Sequence, residues 1–437
     1  MLPLTEKDLS EATSRVGIQD ITTATIRQIV ALSKELERIS GEQFIHLELG
    51  NPGLLAEDTG IEAECEALHS GVANTYPDIS GIPALKEAGS EFIKAFLDLK
   101  IPPKCVIPTV GSMQASYTLM TILKQRDPKK DSVLLFNPGF PAHTHQAKMI
   151  GLNVEGFDIY DYRGEKLKSK LDEILSSGKF TAMLYSNPNN PSWSNFTPEE
   201  LKIIGEAATK YDVIVLEDLA YMGMDFRVDY SEPFKPPFIP SVGHFTNNYI
   251  LLISASKIFS YAGQRVAIVA MSPEVFERNY PVLEKFYEMP NFGECYIYGV
   301  LYTASSGVTH SAQCGMAAML SKASNGELNF IHHTKEYAKR AARMKEAFLS
   351  NGFNIVYEKD GKNDISDGFF FTVGYNDKNS DELQKDLLRY GVSAISLPCT
   401  GSTKKGLRAC VSMMKDQNSF DTLKNRLKKY HEDHHAG

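Results

Sequence analysis

The sequence predicts an α/β protein with a large domain, whose mainly parallel sheet is flanked by helices, and a smaller α/β domain. Three observations predict it. Apolar runs alternate with helical patterns from about residue 85 to 275, the order that builds a parallel sheet with helices on both sides. The runs are continuous rather than alternating, as expected of strands buried on both faces. Near residue 321 the order changes, and a second set of helices and strands begins. With 437 residues, 43% of them hydrophobic, the chain has ample material for such a core. The expected division is an N-terminal arm and part of the small domain over 1–50, a large domain over 51–320, and a small C-terminal domain over 321–437.

Taken in order, residues 22–39 place Ile26, Ile29, Val30, Leu36 and Ile39 on one helical face. "FIHLELGNP" (44–52) reads as a short strand ending in a turn. Strands are expected at 106–110, "SVLLFN" (132–137), "AMLYSN" (182–187), "DVIVLED" (212–218), "YILLISAS" (249–256) and "VAIVAMS" (266–272). Thr197-Pro198-Glu199-Glu200 opens a helix, with a capping threonine, proline at the first helical position and Glu at the third. A long helix over about 326–350 leads to "GFFFTVGY" (368–375), a helix at 381–390, "VSAISL" (392–397), "GLRACVSM" (406–413) and a final helix. In that last helix Leu423, Leu427 and Tyr430 face inward, and the Lys/Arg-rich stretch 424–429 is a solvated face.

The net charge of −8 and the lack of a basic block argue against nucleic acid or an anionic membrane as partner. Six scattered cysteines without a CxxC pair suit reduced thiols in a cytoplasm-like compartment. The polar N-terminus lacks a signal core, and no apolar run reaches the ~18 residues of a membrane span. A soluble, cytoplasmic protein is expected.

Ligands of open α/β sheets sit beyond the C-terminal ends of strands, so the residues there are the candidates. Gly111-Ser112-Met113 opens a helix, a place for a phosphate. Phe140 offers a flat ring, Asn190 an amide, Asp218 a carboxylate, Tyr221 a phenol, and Lys257 an amine at the end of an apolar strand. Each has a plainer reading as a cap, core or turn residue. Together they are the complement of one cofactor, pyridoxal 5′-phosphate. The lysine condenses with the aldehyde and must be unprotonated to do so. The acid keeps the pyridinium protonated, so that the ring accepts electrons. Asn190 and Tyr221 hydrogen-bond the ring phenolate, Phe140 stacks on the ring, and Ser254 and Arg265 grip the phosphate.

With these residues in hand, the sequence resembles the class I/II aminotransferases of pyridoxal-phosphate fold type I, the aspartate aminotransferase superfamily. "LELGNPG" is similar to the family's strand-turn near the substrate, with Gly50 at its tip. "YPDISGIPALKEA", "PTVGSMQAS", "NPGFP", "SNPNNPSW", "EDLAY", "SASKIFSYAGQR" and "GLRACVSM" follow in the family's order. The resemblance implies that Tyr76 reaches the phosphate of a neighbouring subunit, making the protein a homodimer. It also implies that Arg408 clamps the substrate α-carboxylate, a role suited to a bidentate guanidinium, and that Asn190 and Gly50 lie at the substrate. The chain departs from the family at Ser192-Trp193, where Thr-Gly is usual, at Gln264 and Ala267 around Arg265, and in the short loop "SLPCTGSTKKG" before Arg408.

The activity implied is transamination between an L-amino acid and a 2-oxo acid through a Schiff base on Lys257, with ping-pong kinetics. A lyase on the same machinery (a C–S β-lyase, decarboxylase or cyclising synthase) and a non-enzymatic cofactor-binding regulator are the alternatives. The residues before Thr22 are too few for the DNA-binding module such a regulator carries. The segment 300–313 has no arginine for a distal carboxylate, which weakens an aspartate substrate. Tyr221, Tyr261, Phe292 and Tyr296 would suit a bulky apolar side chain if they line the mouth. No metal is expected, and His143 and His145 read as a solvated helix start.

Overall fold

A computed structural model describes residues 2–435. Its central sheet has seven strands: β1 (Val106–Thr109), β2 (Ser132–Asn137), β3 (Asn153–Asp158), β4 (Phe180–Ser186), β5 (Ile214–Asp218), β6 (Tyr249–Ser254) and β7 (Ala267–Met271). Their order across the sheet is β1-β7-β6-β5-β4-β2-β3. The pairs β2–β3, β2–β4, β4–β5 and β5–β6 are parallel. Only β7 runs against its neighbours, β6 and β1.

The central strands β4, β5 and β6 are buried along their whole length, which is why they read as unbroken apolar runs. β3 was not expected from the sequence. It is the edge strand, Asn153 and Gly156 are exposed, and no apolar run marks it. The expected cap at Thr197 is present. Its hydroxyl accepts from the Glu200 N–H, and the Glu200 carboxylate accepts from the Thr197 N–H at 3.0 Å, starting the helix Pro198–Lys210.

A second, antiparallel sheet is built from β8 (Asn354–Ile355), β9 (Phe370–Gly374), β10 (Ile395–Ser396) and β11 (Leu407–Cys410), in the order β10-β11-β9-β8. The run 392–397 is not the single strand expected. Val392–Ser393 pairs in parallel with Ile45–His46, whereas Ile395–Ser396 pairs with β11, so its two halves serve different sheets. The helical stretch near 326–350 is likewise split, into Phe330–Thr334 and Glu336–Leu349. The helices Glu6–Val16 and Ile26–Ser40 bury Leu9, Ile29, Leu32 and Leu36 in a separate core with Leu388 and Ile395, which ties the start of the chain to its C-terminal part. No helix among the described residues is long and apolar enough to cross a membrane.

Candidate active site

The parallel register brings three strand ends side by side: Ser186 opposite Asp218, and Asp218 opposite Leu252, two residues before the end of β6. Past Ser254 the chain makes one helical turn, Ala255–Ile258, which the Ser254 hydroxyl caps by accepting the Ser256 N–H at 3.2 Å. Lys257 lies on that turn. Its Nζ donates to the Gly50 carbonyl and sits 5.2 Å from the centre of the Phe369 ring. Burial, with Arg408 and Arg265 nearby, lowers its pKa to about 8.

Asp218 is 6% exposed and faces no cation among the described residues, where its carboxylate accepts only the Ala220 N–H, at 3.1 Å. Burial therefore raises its pKa to about 7. Tyr221, also buried, has the Asn190 amide beside its phenol, and burial raises that phenol well above its ordinary range. Asn190 is held by its own N–H, which donates to the Ser186 hydroxyl at 3.1 Å.

On another side, Gly111 opens the helix Gly111–Gln125 with a φ of +69°, a left-handed conformation that glycine adopts freely. A Cβ there would lie 2.4 Å from Arg265 Nη2, so the glycine also admits the guanidinium to the helix start. Ser112 and Met113 follow in the first turn, whose backbone N–H groups lack intrahelical acceptors, and the Arg265 guanidinium lies beside that helix start. Phe140 caps the helix Pro141–Ile150 and meets the His143 ring edge-on at 5.5 Å. His143 is not at a solvated helix start. It is buried, and burial lowers its pKa to about 4, which keeps it neutral.

Arg408 is 2% exposed. Its Nη2 donates to the Glu48 carbonyl at 2.6 Å, its Nε has no partner, and its guanidinium lies 4.6 Å from the Phe370 ring centre. Tyr76 stands apart, 90% exposed. Of the four aromatic residues considered for the mouth, only Tyr221 is linked to the site. Phe292 and Tyr296 are fully buried elsewhere, with Tyr296 on Thr118, and Tyr261 is engaged by Gly60 and Glu64.

Two residues that sequence reasoning took only as strand, Phe369 and Phe370, form the aromatic wall between Lys257, Tyr221 and Arg408. The one signal was the run of three phenylalanines at 369–371. Trp193, noted only as a departure, is fully buried with φ +64°, a conformation that costs a bulky residue about 1–3 kcal/mol.

The fold is thus an α/β fold in which a lysine, a buried acid and an arginine at a helix start stand past strand ends. The chain matches the model of aminotransferase class I and II over residues 42–423 and belongs to that family. It is 32% identical over 227 residues to nicotianamine aminotransferase 1 of Oryza sativa subsp. japonica, covering 51% of this chain and 44% of the relative. It is 24% identical over 265 residues to an aspartate aminotransferase of Bacillus subtilis, covering 60% and 64%. The match thus spans 44% and 64% of these two relatives' lengths. A double mutant of Thermus thermophilus aspartate aminotransferase shares the fold, with a TM-score of 0.76 at 17% identity over 95% of this chain and 98% of that one.

Proposed function

We propose that the protein is a pyridoxal 5′-phosphate-dependent aminotransferase that moves an amino group between an L-amino acid and a 2-oxo acid. The observation that carries the reading is the pair of Lys257, on the turn just past β6 with its pKa lowered to about 8, and Asp218, a buried carboxyl that no cation among the described residues serves. The cofactor fits both. A protonated ring nitrogen is the partner Asp218 lacks, and Gly111, Ser112, Met113, Ser254 and Arg265 present N–H, hydroxyl and guanidinium donors for a phosphate. Phe140 supplies the ring face, and Asn190 and Tyr221 supply donors for a phenolate.

When bound, the cofactor supplies an aldehyde carbon for Lys257 and a ring that takes up the electron pair left at the substrate Cα. The protein does the rest. The Lys257 amine, when free, would accept the substrate Cα proton at Nζ and hold it for return during turnover. Arg408 is aimed by the Glu48 carbonyl and keeps its Nε free for the substrate carboxylate. Phe369 lies against Lys257 and Phe370 against Arg408, which shields each cation on that side.

The reading also takes the protein to be a cytoplasmic homodimer. All six cysteines are free, and Leu55 and Tyr76 stand 87% and 90% exposed, with Tyr298 and Tyr302 half-exposed. The test is the absorption spectrum of the protein loaded with pyridoxal phosphate. A band near the visible edge that borohydride abolishes, absent in Lys257→Ala, is expected. Single amino acids should convert the cofactor to its amine form, and a 2-oxo acid should restore it. Release of carbon dioxide, or of ammonia with pyruvate, without that conversion would establish a lyase instead.

A further inference from the structure

Trp193 combines three unfavourable features at one place. Its backbone is left-handed, its ring is fully enclosed, and its Nε1–H is buried without an acceptor. Stability alone does not favour such a residue, so the contacts it makes are the place to look for its use. Its ring meets Tyr221 at 5.5 Å and Phe370 at 6.2 Å, both edge-on. It also fills the space that a side chain at position 368 would need, since a Cβ on Gly368 would lie 2.1 Å from the indole. Gly368 directly precedes Phe369 and Phe370, the wall beside Lys257 and Arg408. The other end of the tryptophan's loop is gripped from the same side of the molecule, for the Asn195 N–H donates to the Asp360 carboxylate at 3.2 Å.

We propose that Trp193 is a positioning residue for substrate capture: keyed into Gly368, it registers the strand bearing Phe370 and the neighbouring Arg408 against Asn190 and Tyr221 of the central-sheet domain. This rests on the reading of Arg408 as the carboxylate clamp. Register is set by interlocking shapes, because a packed core shifts between discrete arrangements rather than deforming smoothly. Loss of the indole loosens Arg408 relative to Tyr221, and a misplacement of this kind is felt first in capture of the substrate.

Trp193 is the only tryptophan of the chain, so intrinsic tryptophan emission reports on this joint alone. In the loaded wild-type protein, titration with 3-phenylpropionate or succinate as carboxylate probes should change that emission saturably, and Arg408→Gln should abolish the change. In steady-state kinetics, Trp193→Gly and Gly368→Ala should each raise KM for the amino donor about 10–100-fold, and more than they lower kcat. The double variant should be no worse than Trp193→Gly alone, because the added methyl then has room. If Trp193→Gly does not fold, Gly368→Ala and the titration still decide. Unchanged KM in both single variants, strictly additive effects, or emission indifferent to both carboxylates in an active enzyme would overturn the role of Trp193 while leaving the aminotransferase reading intact. A wild-type protein that turns over no amino acid and whose emission no carboxylate moves would overturn both.

Discussion

At the scale of single residues, burial makes Asp218 and Lys257 costly to charge in the folded protein. Asp218 has its pKa raised to about 7 by burial. The folded state therefore holds this proton more tightly than the unfolded chain, and that contribution to stability is lost as pH rises from about 4 to 7. Asp218→Asn should stabilise the cofactor-free protein at pH 8 by about 1–4 kcal/mol, and by less at pH 4, in urea melts, while weakening cofactor binding. A destabilised variant at pH 8 would contradict this. Lys257 carries the opposite sign. Its pKa is lowered to about 8, so it opposes folding while charged, and its contribution improves as pH climbs from 8 towards its unfolded value. Acylation of Lys257 in the cofactor-free protein should rise with a midpoint near pH 8, and the midpoint should move upward in Arg408→Gln, because that arginine is among the groups lowering it. Lys257 and Asp218 could be picked out as candidates because a lysine or acid ending an apolar strand is conspicuous. The neutral, buried His143 was not, since burial depends on what packs over a helix start.

At the scale of elements, ion pairs join the hairpin around Asp360 to the central-sheet domain. Arg163 bridges Glu200 at 2.7 Å and Asp360 at 2.8 Å, and Arg227 reaches Asp360 at 2.6 Å. Asp360 is itself buried, so its removal leaves two guanidinium groups short of a partner. Asp360→Ala should cost about 2–4 kcal/mol in denaturant melts. Because Asp360 also holds the Asn195 N–H, the variant should raise KM for the amino donor as well. A neutral effect on both would show that the latch is decorative. A second contact lies on the departing loop before Arg408. The Gly139 N–H beside Phe140 donates to the Thr400 carbonyl at 2.8 Å, and the Tyr357 hydroxyl joins Asp158 and Ser402. Local signals foretold the helix at Pro198, whose cap lies within four residues. They did not foretell the division of 392–397 between two sheets, which depends on partners at residues 45 and 408.

At the scale of the whole molecule, the proposed homodimer gives the exposed Tyr76 a use. If it serves the neighbouring subunit, mixing inactive Lys257→Ala with Tyr76→Ala and allowing subunits to exchange should restore up to about a quarter of wild-type activity. Half of the dimers would then be mixed, each with one intact site. Activity that never exceeds the sum of the two separate variants would place Tyr76 outside the partner's site. A sedimentation experiment showing monomers at micromolar concentration would refute the dimer directly.

The sequence by itself determined the α/β class and six of the seven strands of the central sheet, and it singled out the candidate site residues. These follow from local quantities: unbroken apolar runs, caps within a turn, and polar groups placed just past strand ends. Only the tertiary structure decided that Phe369 and Phe370 wall the lysine and the arginine, that Trp193 keys into Gly368, and that His143 is dry. Each of these depends on surfaces brought together from distant parts of the chain, and the packing of such surfaces has no period or spacing for a sequence to display.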